Sequence, residues 1–142
     1  MSFLTNTDSP AEAAQHADIA AFILRVSTGM LFLVHGLTKL LVFTPAGTAG
    51  YFQSLGLPGA LGYLTMALEI AGGIALILGI ATRYLSLVLA GTLLGAAWFG
   101  HRGNGFGFSN PGGGWEYPVF WAVAMLALSL LGDGAWSLAR RR

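Results

Sequence analysis

The chain contains no cysteine. This excludes disulfides, thiol redox chemistry and cysteine-ligated zinc or iron–sulfur clusters within it. Charge is also scarce: Asp, Glu, Lys and Arg make up 9% of residues, against about 25% in an average soluble domain. The net charge of +1 offers little to a nucleic acid, whose binding rests on clustered Lys and Arg. There is no Walker motif and no nucleophile elbow. Gly103-x-Gly105-x-Gly107 has the wrong glycine spacing and no preceding strand, so it is not a dinucleotide fingerprint. His35, His101, Glu69 and Glu116 are chemically able to hold a metal. The Glu-x-x-His pair of di-iron bundles is missing, however, and no metal is expected.

Apolar surface and glycine are abundant. Of 142 residues, 55% are hydrophobic and 21 are glycine, with a mean hydropathy of +0.68. Glycine lets membrane helices approach closely, and the length allows one domain. Residues 1–18 read as a polar N-terminal tail carrying Asp8, Glu12 and Asp18, with a short helix over 11–17. The tail lacks the basic start of a signal peptide. Four apolar runs follow, at about 19–43, 60–80, 84–100 and 117–136, each close to the roughly 20 helical residues that cross a bilayer. Residues 44–59 form an uncharged connection rich in Gly and Pro, with a short interfacial helix. Residues 101–116 form a glycine-rich loop. The fold expected is all-α, an integral membrane four-helix up-down bundle. Gly91-x-x-x-Gly95 in the third run has a helix-packing spacing.

Four spans put both termini and the 81–83 turn on one side, with Arg25, Arg83, Arg140, Arg141 and Arg142. Lys39 and Arg102 fall on the other. The positive-inside rule then makes the termini cytoplasmic. Arg25, near the start of the first run, is expected to snorkel to the interface.

Polar residues within the runs point to a site. His35 and Lys39 are four apart and share one helix face, and Gly36 between them removes bulk. Lys39 lies one turn nearer the outer end than His35. Glu69 is about 14 Å below the outer start of the second run at 1.5 Å per residue. His101 and Glu116 sit at the outer ends of the third and fourth. Arg102 neighbours His101 but is expected to point elsewhere. A charge at the bilayer centre costs roughly 2.5–3.5 kcal/mol on the insertion scale, so a Glu69–Lys39 contact is expected. His35, Lys39, Glu69, His101 and Glu116 form the candidate ligand-binding layer, with Glu69 and His35 the candidates for handling protons. Histidine passes protons near neutrality, and lysine stabilises an anionic oxygen. Such a layer suits a quinone or a phenolic acid. Trp98, Phe99, Phe106, Phe108, Trp115, Tyr117 and Trp121 lie at the same level, either as an interfacial aromatic belt or as a flat wall for an aromatic head group.

Several motifs stand in order along the chain: Arg25 through Lys39 with its His-Gly-x-x-Lys, Leu55-Gly56-Leu57-Pro58, and Glu69-x-x-Gly72-Gly73 with Leu78-Gly79. Thr82-Arg83, His101 with Gly105-Phe106, and Gly113-Gly114-Trp115-Glu116-Tyr117 follow. In these the chain resembles the DoxX family of small bacterial four-helix membrane proteins. The resemblance implies a multi-pass protein of the bacterial cytoplasmic (inner) membrane, associated with quinone or thiol redox systems. Three readings fit these residues. The first is a component of a membrane oxidoreductase system that binds a quinone, not covalently. The second is a noncatalytic scaffold gathering soluble redox enzymes through the tail and Arg140–Arg142. The third is a small-solute transporter, which would require a homo-oligomer to enclose a pore.

Overall fold

The computed structural model describes residues 9–139. The tail up to Asp8 and the Arg140–Arg142 end lie outside the described residues. Among those described, the chain is all-helical with no strand.

Helix α1 runs unbroken from Pro10 to Leu41. The Ser9 side chain accepts from the Glu12 N–H, the Glu12 side chain accepts from the Ser9 N–H, and Pro10 occupies the first turn. This capping box starts a helix at residue 10, and the alanine-rich stretch after it contains no breaker. The expected short helix over 11–17 is therefore the opening of α1. At 1.5 Å per residue α1 is about 48 Å long, well beyond a hydrocarbon core of about 30 Å.

Thr44 ends the turn after α1 and caps α2, Pro45–Ser54, the short helix anticipated in the connection. Helix α3, Gly59–Leu78, closes at Gly79 in the left-handed conformation. Helix α4, Thr82–Gly95, passes directly into a π-helical segment, Ala96–His101, and a 3-10 turn, Arg102–Asn104. Helix α5 is Glu116–Leu131. Helices α1 and α3, and the stretch Thr82–Asn104, are long and apolar enough to cross a membrane, while Glu116–Leu131 is apolar but shorter. Large apolar side chains cover the outside, with Leu130 78% and Tyr84 75% exposed. That surface suits lipid rather than water.

Packing divides the helices into two close pairs, α1 with α3 and α4 with α5, and α2 lies across α3. Glycine sets the α1–α3 distance. A Cβ on Gly73 would come 2.7 Å from the Gly29 carbonyl oxygen, and a Cβ on Gly36 would come 3.1 Å from the Glu69 Cβ. Backbones touch where side chains would otherwise hold them apart. Phe32, Leu76, Leu89, Met125 and Leu128 join the pairs in one core. Helices α3 and α4 meet near their shared turn, where Gly72 faces Leu89.

Arg25 does not snorkel. It is 0% exposed, and its guanidinium donates to four carbonyls: Leu76 at 3.1 Å, Ile77 at 2.6 Å, Asp133 at 2.8 Å and Ala135 at 2.7 Å. Two of these lie in the last turn of α3, where helical carbonyls run short of partners and Leu76 also accepts the Gly79 N–H, and two lie in the turn after α5. The negative ends of helix dipoles favour a cation there. Gly79 makes room, since a Cβ would stand 3.0 Å from the Arg25 Cζ.

Candidate functional site

A cavity of about 370 Å³ lies between α3 and α4, beneath α2. Its size is within the usual range for small-molecule sites. Leu61, Leu64 and Leu68 of α3 and Phe99 of the π-helical segment form apolar walls, and Phe52 of α2 with Leu55 just after it forms a roof. His35 and Lys39 come from α1, Glu69 from α3, His101 from the π-helical segment, and Tyr117 and Trp121 from α5. Four of the five residues in the expected layer thus line one space.

The Lys39–Glu69 contact is present. Lys39 Nζ lies 2.8 Å from Glu69 Oε2 and 3.0 Å from Oε1. Both side chains are largely withdrawn from solvent, at 19% and 10% exposure. Gly36 is the physical reason the pair can close: it lets α1 lie against the α3 backbone at Glu69 and Ile70. The Lys39 carbonyl accepts from the Thr48 hydroxyl at 3.2 Å, tying this end of α1 to α2. A doubly hydrogen-bonded ion pair with an apolar surround is geometrically well defined. The ammonium keeps a third proton beyond the two it gives Glu69.

His35 stands edge-on to Trp121, ring centroids 5.4 Å apart, and Trp121 stacks at a tilt on Phe32 at 4.5 Å. The Trp121 indole N–H is buried without a hydrogen-bond partner among the described residues, an uncommon state for a buried donor.

His101 is held from both ring nitrogens. Nδ1 lies 2.9 Å from the Gly113 carbonyl and Nε2 lies 2.8 Å from the Tyr117 hydroxyl. The π-helical segment turns this ring toward α5, and such segments are frequent at functional sites. The glycine-rich loop is ordered by its own bonds. The Asn104 amide donates to the carbonyls of Gly112 and Gly113, and the Asn110 amide donates to that of Asn104. Gly113 has φ +74°, which favours glycine, and a Cβ there would sit close to the Tyr117 ring at 3.2 Å.

Glu116 does not line this cavity. Its Oε1 accepts the Phe108 N–H at 2.7 Å, latching the loop to the start of α5. It borders a shallower groove with Phe106, Phe108 and Trp115. Arg102 lies over the Trp98 ring at 4.4 Å, away from the cavity lining. Among the described residues no group of three or more His, Asp or Glu side chains is placed to hold a metal ion. Tyr117 and Trp121, read from sequence within an aromatic band, acquire distinct positions here. The signal for Tyr117 was its place in the first turn of a helix beside a histidine-bearing loop.

Apolar outer surfaces, spanning-length helices and an ion pair enclosed beside a cavity define a small helical membrane protein with an internal, partly polar site. The chain belongs to the DoxX family, whose profile matches residues 20–102. It is 42% identical over 79 residues to the Bacillus subtilis protein named "Putative oxidoreductase CatD", a match spanning 56% of this chain and 58% of that protein. The chain thus spans somewhat over half the length of that relative. It is 30% identical over 128 residues to the "Inner membrane protein YqjF" of Escherichia coli, covering 87% of this chain and 92% of that one. The same identity holds over 130 residues to the "Inner membrane protein YphA" of Escherichia coli, covering 87% and 90%. No solved structure matches the chain.

Proposed function

We propose that the protein binds a quinone or phenolic small molecule in the cavity between α3 and α4, as a component of a membrane-associated oxidoreductase system. The observation that carries this reading is the Lys39–Glu69 pair on the wall of an otherwise apolar cavity. A flat ring fits the apolar walls, and its oxygens need the few polar groups that fix orientation. Lys39 supplies a cationic donor for a carbonyl or phenolate oxygen. In this reading His35 and Glu69 exchange protons with a bound oxygen. His101 completes the polar lining, and Glu116 acts through the loop. A relative whose name includes the word oxidoreductase supports the redox setting, and two relatives named as inner membrane proteins support the bacterial cytoplasmic membrane.

The test is binding of menadione to the purified chain in detergent, followed by tryptophan fluorescence. Trp121 lines the cavity, so bound quinone should quench it saturably. A Glu69→Gln/His35→Ala double variant should bind at least about tenfold more weakly, equivalent to roughly 1.4 kcal/mol. Purely linear quenching in the native chain, or equal affinity in the variant, would count against the site.

The topology belongs to the same proposal. Four segments cross the bilayer in up-down order, α1, α3, α4 with its π-helical extension, and α5. The termini are cytoplasmic, and the 105–115 loop faces outward. Because the chain has no cysteine, a single Ser109→Cys variant can report the side. A membrane-impermeant maleimide should label it in intact spheroplasts. Labelling only after lysis would invert the topology.

A further inference from the structure

We infer that Tyr117 is a hydrogen-bond acceptor that favours a ligand hydroxyl at its end of the cavity, so that a phenol or quinol binds more tightly than a ligand that offers acceptors alone. This rests on the reading of the cavity as a binding site and names the ligand class within it. The starting point is the Gly113 carbonyl, which can only accept. At 2.9 Å from His101 Nδ1, it requires the proton on that nitrogen. In the neutral ring Nε2 is then an acceptor. The Tyr117 hydroxyl, 2.8 Å away, must donate to it. A tyrosine hydroxyl has one hydrogen. With that hydrogen committed to His101, the oxygen has only lone pairs left for a neighbour in the cavity that Tyr117 lines.

The arrangement is built rather than incidental. Asn104 also donates to the Gly113 carbonyl, at 2.9 Å, which fixes its position. Gly113 leaves space for the Tyr117 ring, and the π-helical segment supplies the direction of the His101 ring. The rings themselves meet edge to face at 5.0 Å. A ligand hydroxyl placed at Tyr117 gains a bond. An ether or carbonyl oxygen there meets lone pairs and leaves the tyrosine oxygen unpaired, a mismatch that discriminates strongly in a desolvated site. The same chain of bonds gives a route for the proton. As a ligand hydroxyl passes its proton to the Tyr117 oxygen, the tyrosine proton moves to His101 Nε2. The products are a ligand oxyanion and an imidazolium, with no electron transferred.

The experiment measures binding of 1-naphthol and of its methyl ether, 1-methoxynaphthalene, to the full chain in detergent by titration calorimetry. The native protein should prefer the naphthol at least about tenfold beyond the preference seen with empty micelles. Tyr117→Phe should bring that ratio close to one. His101→Leu frees the tyrosine hydrogen to face the cavity, so the ether should gain affinity and the ratio should fall. This second variant decides the matter if Tyr117→Phe does not fold. Equal binding of the two probes by the native chain overturns the inference, as does a ratio that both variants leave intact. If menadione binds and the two naphthalenes do not differ, Tyr117 selectivity alone fails. If neither menadione nor naphthol binds, the site reading fails with it.

Discussion

Replacing Arg25 with methionine is expected to remove most of the folded protein, by about 3–5 kcal/mol, since each buried acceptor left unsatisfied costs about 1–3 kcal/mol. A whole domain is stable by only about 5–15 kcal/mol. The methionine would fill much of the volume, so a cavity is not the main cause. The cause is the carbonyl oxygens of Ile77, Asp133 and Ala135, which lose this donor together, while Leu76 keeps the Gly79 N–H. Nearby atoms cannot easily replace it, because the guanidinium is fully enclosed. Arg25→Lys should fall between the two, since three donors on a point charge cannot reproduce the planar fork that spans two turns. The measurement is the melting temperature in detergent, together with the yield of monodisperse protein. A melting temperature within about 2 °C of the native chain would show that the four bonds contribute little. Arg25 precedes His35 by ten residues, about 15 Å along α1. Any Arg25→Lys protein that folds should therefore bind menadione with native affinity.

The history of Arg25 shows what the sequence could and could not disclose. Its position near the start of an apolar run is equally consistent with snorkelling and with burial. The choice depends on the end of α3 and the turn after α5, which lie 51 to 110 residues away in the chain. Hydropathy carries no information about such a meeting. The helices themselves were legible because a 20-residue apolar run has few alternatives in lipid. Their ends were less so: Ser9-Pro10-x-Glu12 is a local capping signal, yet polarity suggested a tail instead. The Lys39–Glu69 pairing was legible because isolated charges in that setting are costly and few partners were available. Glu116 was not, for its acceptor role depends on how six glycines between 103 and 115 fold the loop back to Phe108. Composition alone puts Tyr117 in an aromatic band or wall, because the π-helical segment, which turns His101 toward it, leaves no mark there.

The Lys39–Glu69 pair separates stability from binding, and replacing both partners should do what replacing one cannot. Lys39→Met alone leaves a buried carboxylate, and Glu69→Leu alone leaves a buried ammonium. Each is expected to cost about 3–5 kcal/mol, because the remaining charge has lost its counterpart in an apolar surround. The Lys39→Met/Glu69→Leu double variant removes both desolvation penalties and fills the space with apolar atoms of similar size. Buried pairs exchanged in this way are often neutral or even stabilising. Its melting temperature should return to within about 3 °C of the native value, giving a coupling of several kcal/mol in a double-mutant cycle. Packing between α1 and α3 should persist, since it rests on Gly29, Gly36 and Gly73 and not on the charges. Menadione binding should not return with stability, because the cavity would have lost its cationic donor. A double variant as unstable as the singles would mean that the pair organises α1 against α3 in a way that apolar contacts cannot replace. A stable double variant that binds menadione normally would show that Lys39 and Glu69 serve the fold alone. Recovered stability with lost binding would leave the pair without a structural reason to be charged, and the ligand as the remaining one.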